Sequence, residues 1–192
     1  MRDLEILHWD GNIGFMGLDS LEELTSDERR LVTLKFYKDK LLYDINNYAY
    51  IEGEKLPDEA QHAKHLTQDI GENGNIDRAT RLLGLMHAAV IELLYPLTKT
   101  EVIEEEIDNR LWDPDVYIIE LHVPVKMSRT TMHYLARLIH EWMVYRVLAD
   151  WLGIVNPEAA ANWAAKAQLT EDEIDKIKNS GGGVTIRPAQ PY

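Results

Sequence analysis

Residues 128–153 read SRTTMHYLARLIHEWMVYRVLADWLG, and how this stretch is covered decides what fold the chain can have. Ser128 stands where a helix N-cap is expected, and Gly153 sits at the far end, in the position that favours left-handed backbone. Between them Leu135, Leu138, Ile139, Trp142, Met143, Val144, Val147, Leu148, Trp151 and Leu152 cannot share one face of a 3.6-residue helix. Such a helix must be covered from several sides. The spacing also sets Arg137 beside Glu141 and Arg146 beside Asp150, each across one turn. Aromatic residues cluster around it: Trp142, Tyr145, Trp151 and, further on, Trp163 form either core or an interface with a neighbouring subunit, where aromatics are enriched.

Toward the N-terminus, TSDERRLVTLKFYKDKLLYDINNYAYIEG (25–53) predicts a helix, with Thr25 and Glu28 as a capping box and Leu34, Tyr37, Leu41, Ile45 and Tyr48 on one face. A short surface helix is expected after Pro57, with only Ala60, Ala63 and Leu66 to bury. Asn75 then caps a third helix carrying Ala79, Leu82, Leu83, Met86, Val90, Leu93 and Leu94, which Pro96 stops. Alternation over Val116–Val123, after the turn signal Asp113-Pro114-Asp115, predicts a β-hairpin pairing 101–108 with 115–123. Past Gly153, Asn156-Pro157 opens a short fifth helix, and Thr170 with Glu173 makes a capping box for a sixth. The expected fold class is mainly α, a bundle of about five to six helices with one small β-hairpin and an extended C-terminal arm. Residues 1–180 are read as one helical domain, with 1–25 as an N-terminal extension, and 181–192 as a flexible arm.

Thirty-three acidic against twenty basic residues leave a net charge of −13, so the chain repels phosphate and gains no counterion-release affinity for a duplex. Sequence-specific nucleic-acid binding is not expected. The absence of cysteine closes disulfide, thiol-nucleophile and thiolate-metal chemistry. The first residues show no signal-peptide pattern, and the richest apolar run, Leu138–Leu152, is interrupted by His140, Glu141, Arg146 and Asp150. No membrane partner is expected.

Several constellations invite a chemical reading. Asp58, His62, His65 and Asp69 have spacings that would line a helix face with metal ligands, against which stands an ordinary solvated face. Asp69, Asn73, Gly74 and Asp77 match part of a calcium loop, but Gly71 and Thr80 occupy its third and twelfth positions, so the closing bidentate carboxylate is missing. His133 and His140 lie two turns apart, and HEWMV holds half of a zincin motif with Val144 in place of the second histidine. Glu104, Glu105 and Glu106 read as a solvated edge. No residues stand out as catalytic or metal-binding, no cofactor is expected, and the chain is read as having no enzyme activity.

The last stretch, SGGGVTIRPAQPY, is nearly uncharged. Gly181–Gly183 supply a swivel, Val184, Thr185 and Ile186 suit a sheet edge, and Pro188 and Pro191 limit how far pairing can run. Val184, Thr185, Ile186, Arg187, Pro188 and Tyr192 are therefore the candidate partner-binding residues.

Taken together, LLYDINNYAYIEGE, GENGNIDRATRLLGLMHAAVIELLYPLTK and HYLARLIHEWMVYRVLADWLGIVNPEAAANWAAKA resemble proteins encoded in structural regions of tailed bacteriophages and prophages. The plan is similar to a head-to-tail connector, or portal adaptor, a small helical subunit that forms a ring beneath the portal and sends out a C-terminal arm. The resemblance implies a virion protein, present in the host cytoplasm during assembly, that forms a homo-oligomeric ring, commonly of twelve subunits. Its partners would be the portal and the tail or neck proteins, with no enzyme activity and no cofactor. The N-terminal 25 residues and the hairpin at 101–123 have no counterpart in the minimal adaptor, which leaves open another neck or tail-completion role. Two other classes stay open: a small dimeric regulatory or partner-binding module whose tail is a peptide ligand, and a metal-dependent hydrolase built on His62 and His65.

Overall fold

The computed structural model describes residues 29–72, 75–100 and 112–180. In chain order these form β1 (Arg29–Tyr37), α1 (Lys38–Glu54), α2 (Gln61–Gln68) between short 3-10 turns, α3 (Ile76–Leu93), β2 (Val116–Pro124), α4 (Arg129–Leu152) and α5 (Pro157–Ser180). Among the described residues the fold is mainly helical, five helices with one two-stranded antiparallel sheet.

Helix α4 is the axis of the core. Leu135, Ile139, Met143, Val144, Val147, Leu148 and Leu152 are fully buried, and Trp142 and Trp151 nearly so. Its cover comes from within the chain: α5 packs along it most extensively, with α1 and α3 on other sides. Ser128 caps it as read, its Oγ accepting from the Thr131 amide at 3.0 Å. Gly153 closes it in right-handed rather than left-handed geometry (φ −55°, ψ −25°), because the chain turns straight on toward α5 through amides of Val155 and Asn156 that donate to the Leu152 carbonyl.

Three expectations change. Residues 29–37 form a strand, not the start of a helix: in RRLVTLKFY, Leu34 and Phe36 point inward with Val32 half-buried, while Leu31, Thr33, Lys35 and Tyr37 are exposed. That two-residue period outweighs the three- to four-residue recurrence of Leu34, Tyr37 and Leu41, since burying Phe36 and Leu34 together requires an extended chain. Helix α1 then starts without a linker. Its Lys38 amide is satisfied by the Asp115 carbonyl at 3.0 Å, and the Lys38 ammonium lies 2.6 Å from Asp113. Thr25 and Glu28 lie outside the described residues.

The second change concerns β2. It pairs antiparallel with β1, in register from Arg29↔Pro124 to Tyr37↔Val116. The expected local partner, 101–108, lies outside the described residues. β1 supplies an apolar inward row that joins Tyr117, Ile119, Leu121 and Val123 in one buried layer.

Third, the expected fifth and sixth helices are one. Ala159, Ala160, Trp163, Ala167 and Ile174 are buried along one continuous helix, with Thr170 and Glu171 half-buried between the last two. Thr170 acts as an interior residue, its hydroxyl donating to the Lys166 carbonyl one turn back at 2.9 Å instead of capping a new helix. Asn75 occupies the N-cap of α3, yet its side-chain amide donates to the Asp69 carbonyl at 2.9 Å and caps nothing. Helix α2 buries only Thr67, and Leu66 stays 41% exposed.

Candidate functional site

The four aromatics singled out in sequence lie in the seams between helices. Trp142 is buried and donates from Nε1 to a Glu171 carboxylate oxygen at 3.1 Å, fastening α4 to α5, while the Arg146 guanidinium lies 5.6 Å above its ring. Trp151 is buried under Arg78 of α3, whose guanidinium sits 4.9 Å from the ring and 3.4 Å from Asp150. Asp150 therefore reaches across to α3, although the spacing along α4 had set it beside Arg146. Trp163 packs on Tyr48 of α1 and Tyr145 of α4, with ring centroids 4.9 and 5.3 Å away. The Lys166 ammonium covers that indole at 3.9 Å. Burial raises the Tyr145 hydroxyl well above the usual phenol range, helped by its hydrogen bond to Glu141, and burial with the nearby Glu141 and Asp44 charges raises Tyr48. These rings answer the all-round apolar character of α4 from inside the molecule.

The histidines divide among structural partners. His140 of α4 lies 2.7 Å from Asp44 of α1, and His133 accepts from Arg129 at 3.3 Å one turn earlier. Asp58 and Asp69 fall in the 3-10 turns that flank α2 rather than on the helix carrying His62 and His65. Among the described residues no group of three or more potential ligands is placed to hold a metal ion. Asn73 and Gly74 of the calcium-like stretch lie outside the described residues.

A cleft of about 630 Å³ opens between the end of α1 and the start of α5, lined by Glu52, Lys55, Asn156, Asn162, Trp163 and Lys166 among others. Glu52 pairs with Lys55 at 2.8 Å, and the Lys166 ammonium lies over the indole. The Asn156 carbonyl oxygen receives the Ala159 amide as the cap of α5.

More is available for recognition on the sheet. Its outer face carries Leu31, Tyr37 and Ile118, each at least 45% exposed, beside Thr33, Lys35, Glu120 and His122. Sequence reasoning missed this surface because it assigned 29–37 to a helix; the alternation in RRLVTLKFY was the signal for it. The arm residues Val184, Thr185, Ile186, Arg187, Pro188 and Tyr192 lie outside the described residues. Also among the described residues, no helix is long and apolar enough to cross a membrane. No protein-family model, no curated protein and no solved structure matches the chain.

Proposed function

We propose that this chain is a structural subunit of the portal–tail junction of a tailed bacteriophage, a connector that forms a homo-oligomeric ring, docks to the portal through its C-terminal arm and lets DNA pass. One observation carries the reading. The three segments that resemble the connector group fall on α1, α3, α4 and α5, which share one buried core, while beyond α5 the sequence turns to three glycines and a nearly uncharged arm. A packed helical body with an appended arm suits assembly by geometry rather than by chemistry. The net charge of −13 agrees with a conduit, since an acidic lumen does not hold phosphates.

The core takes up Trp142 and Trp151 of α4, so ring contacts in this reading fall to the exposed residues Tyr43, Tyr50 and Ile51 of α1, Tyr134 of α4, Ile154 before α5 and Leu169 on it. Light scattering of the purified protein, alone and mixed with its portal, tests the proposal. Ring-sized species are expected in at least the mixture, and monomers alone under both conditions would overturn it. Deleting residues 184–192 should leave the fold intact and abolish docking to the portal.

A further inference from the structure

A two-stranded sheet has two outer edges, and the hydrogen bonds of this one show which is open. On β2 the Ile118 carbonyl accepts from His87 Nε2 of α3 at 2.9 Å, and the His122 amide donates to the Leu97 carbonyl at 2.7 Å. The even-numbered residues of β2 thus direct their backbone groups away from β1, where α3 and the segment after it engage the Ile118 carbonyl and the His122 amide. In an antiparallel pair, residues directly opposite one another either exchange both bonds or neither. Their partners Lys35, Thr33 and Leu31, opposite Ile118, Glu120 and His122, must then also direct backbone N–H and C=O groups away from the pair. No other described residue hydrogen-bonds these groups, and all three residues are exposed. Among the described residues, the outer edge of β2 is engaged by its neighbour and that of β1 is open.

We infer that the open edge of β1 accepts a strand in assembly: Val184–Arg187 from the arm of a second copy of this chain. The inference rests on the connector reading only in treating the arm as a strand donor, and adds what receives it. The length fits, since four residues precede Pro188, which lacks the N–H needed to continue a ladder. β1 carries Arg29, Arg30 and Lys35 and no acid, which opposes pairing of β1 with β1 of another copy. In the arm, Val184, Thr185 and Ile186 are uncharged and oppose pairing less, with Arg187, of the same sign as β1, at their end.

The occupant is the arm of a second copy, an exchange of identical elements between protomers. An arm laid on its own β1 would leave the full chain monomeric at every concentration. The portal would compete for the same arm, so subunits associate through arm and edge before the portal captures the arm.

Complementation tests this directly. Thr33→Pro removes an outward N–H at a position where an edge strand tolerates proline, and Ile186→Pro alters the arm without touching the folded body. Light scattering of the full chain should show concentration-dependent association that either substitution abolishes, with circular dichroism and melting of Thr33→Pro close to wild type. Mixing Thr33→Pro, which keeps its arm, with a chain lacking 184–192, which keeps its edge, should restore association. A labelled GGGVTIRPAQPY peptide should bind the arm-deleted chain saturably, and at least tenfold more weakly when Thr33→Pro is added. A full chain that stays monomeric at all concentrations, or a mixture that does not associate, would overturn the inference. Portal docking that survives Thr33→Pro while self-association is lost is expected. Self-association that survives Thr33→Pro sinks the edge without touching the connector reading.

Discussion

His87 sits on α3 between Trp112 and Tyr117, ring centroids 5.1 and 5.3 Å away, with Nε2 donating to the Ile118 carbonyl. It is a structural histidine that closes a strand edge. Burial lowers its pKa, opposed in part by that hydrogen bond, so the neutral ring is favoured in the folded state. Above the ordinary histidine value of about 6.5 the ring is neutral folded and unfolded alike, and the full stability is present. As pH falls below that value the unfolded chain takes up a proton that the folded chain resists, and stability is lost down to the folded pKa at no more than about 1.4 kcal/mol per pH unit. His87→Gln keeps a donor for Ile118 but cannot titrate. Denaturant titrations between about pH 7 and pH 5 should therefore show a shallower acid decline for His87→Gln than for wild type. The neighbouring Tyr117 stays protonated throughout, since burial and the charge of Asp113 push its pKa up to about 12.

At the scale of elements, α3 holds a glycine that its geometry does not require. A Cβ at Gly84 would meet the Trp112 carbonyl oxygen at 3.9 Å and its ring at 4.0 Å, ordinary contact distances. Gly84→Ala should stabilise the protein by about 0.5–1 kcal/mol through the smaller entropy of the unfolded chain, read as a raised melting temperature and denaturation midpoint. What the sequence disclosed follows the same division between local and distant causes. The Ser128 cap was legible because it needs only the Thr131 amide three residues on, and the buried stripes of α3 and α4 because their period is internal. The pairing of β2 with β1 was not, because its partner lies some eighty residues earlier and is chosen by which apolar row completes the core layer. For Trp142, Tyr145, Trp151 and Trp163 the pattern announced burial but not what buries them. Their ties to Glu171, Arg78 and Tyr48 depend on how α1, α3 and α5 converge on α4. The open edge of β1 went unread for a related reason: an edge exists only once the strand on its other side is known.

For the whole molecule the governing quantity is the charge of −13 carried by each copy. Copies brought together in a ring repel one another, while the contacts available to hold them, exposed tyrosines and aliphatics on α1 and α5 and an open strand edge, are apolar or neutral hydrogen-bonding groups. Salt then weakens the repulsion and spares the attraction: the screening length falls from about 10 Å at 0.1 M to about 3 Å at 1 M. Association of the full chain should rise when sodium chloride is raised from about 0.05 to about 0.5 M, measured by sedimentation velocity at fixed protein concentration. Copies held by acid–base pairs would separate over the same range. A fall in sedimentation coefficient would thus assign the contacts to ion pairs and remove both the exposed apolar side chains and the strand edge from the assembly. Duplex DNA added at the low-salt end, where its counterion-release term is greatest, should sediment independently of the protein, because a surface of this charge offers phosphates no net attraction.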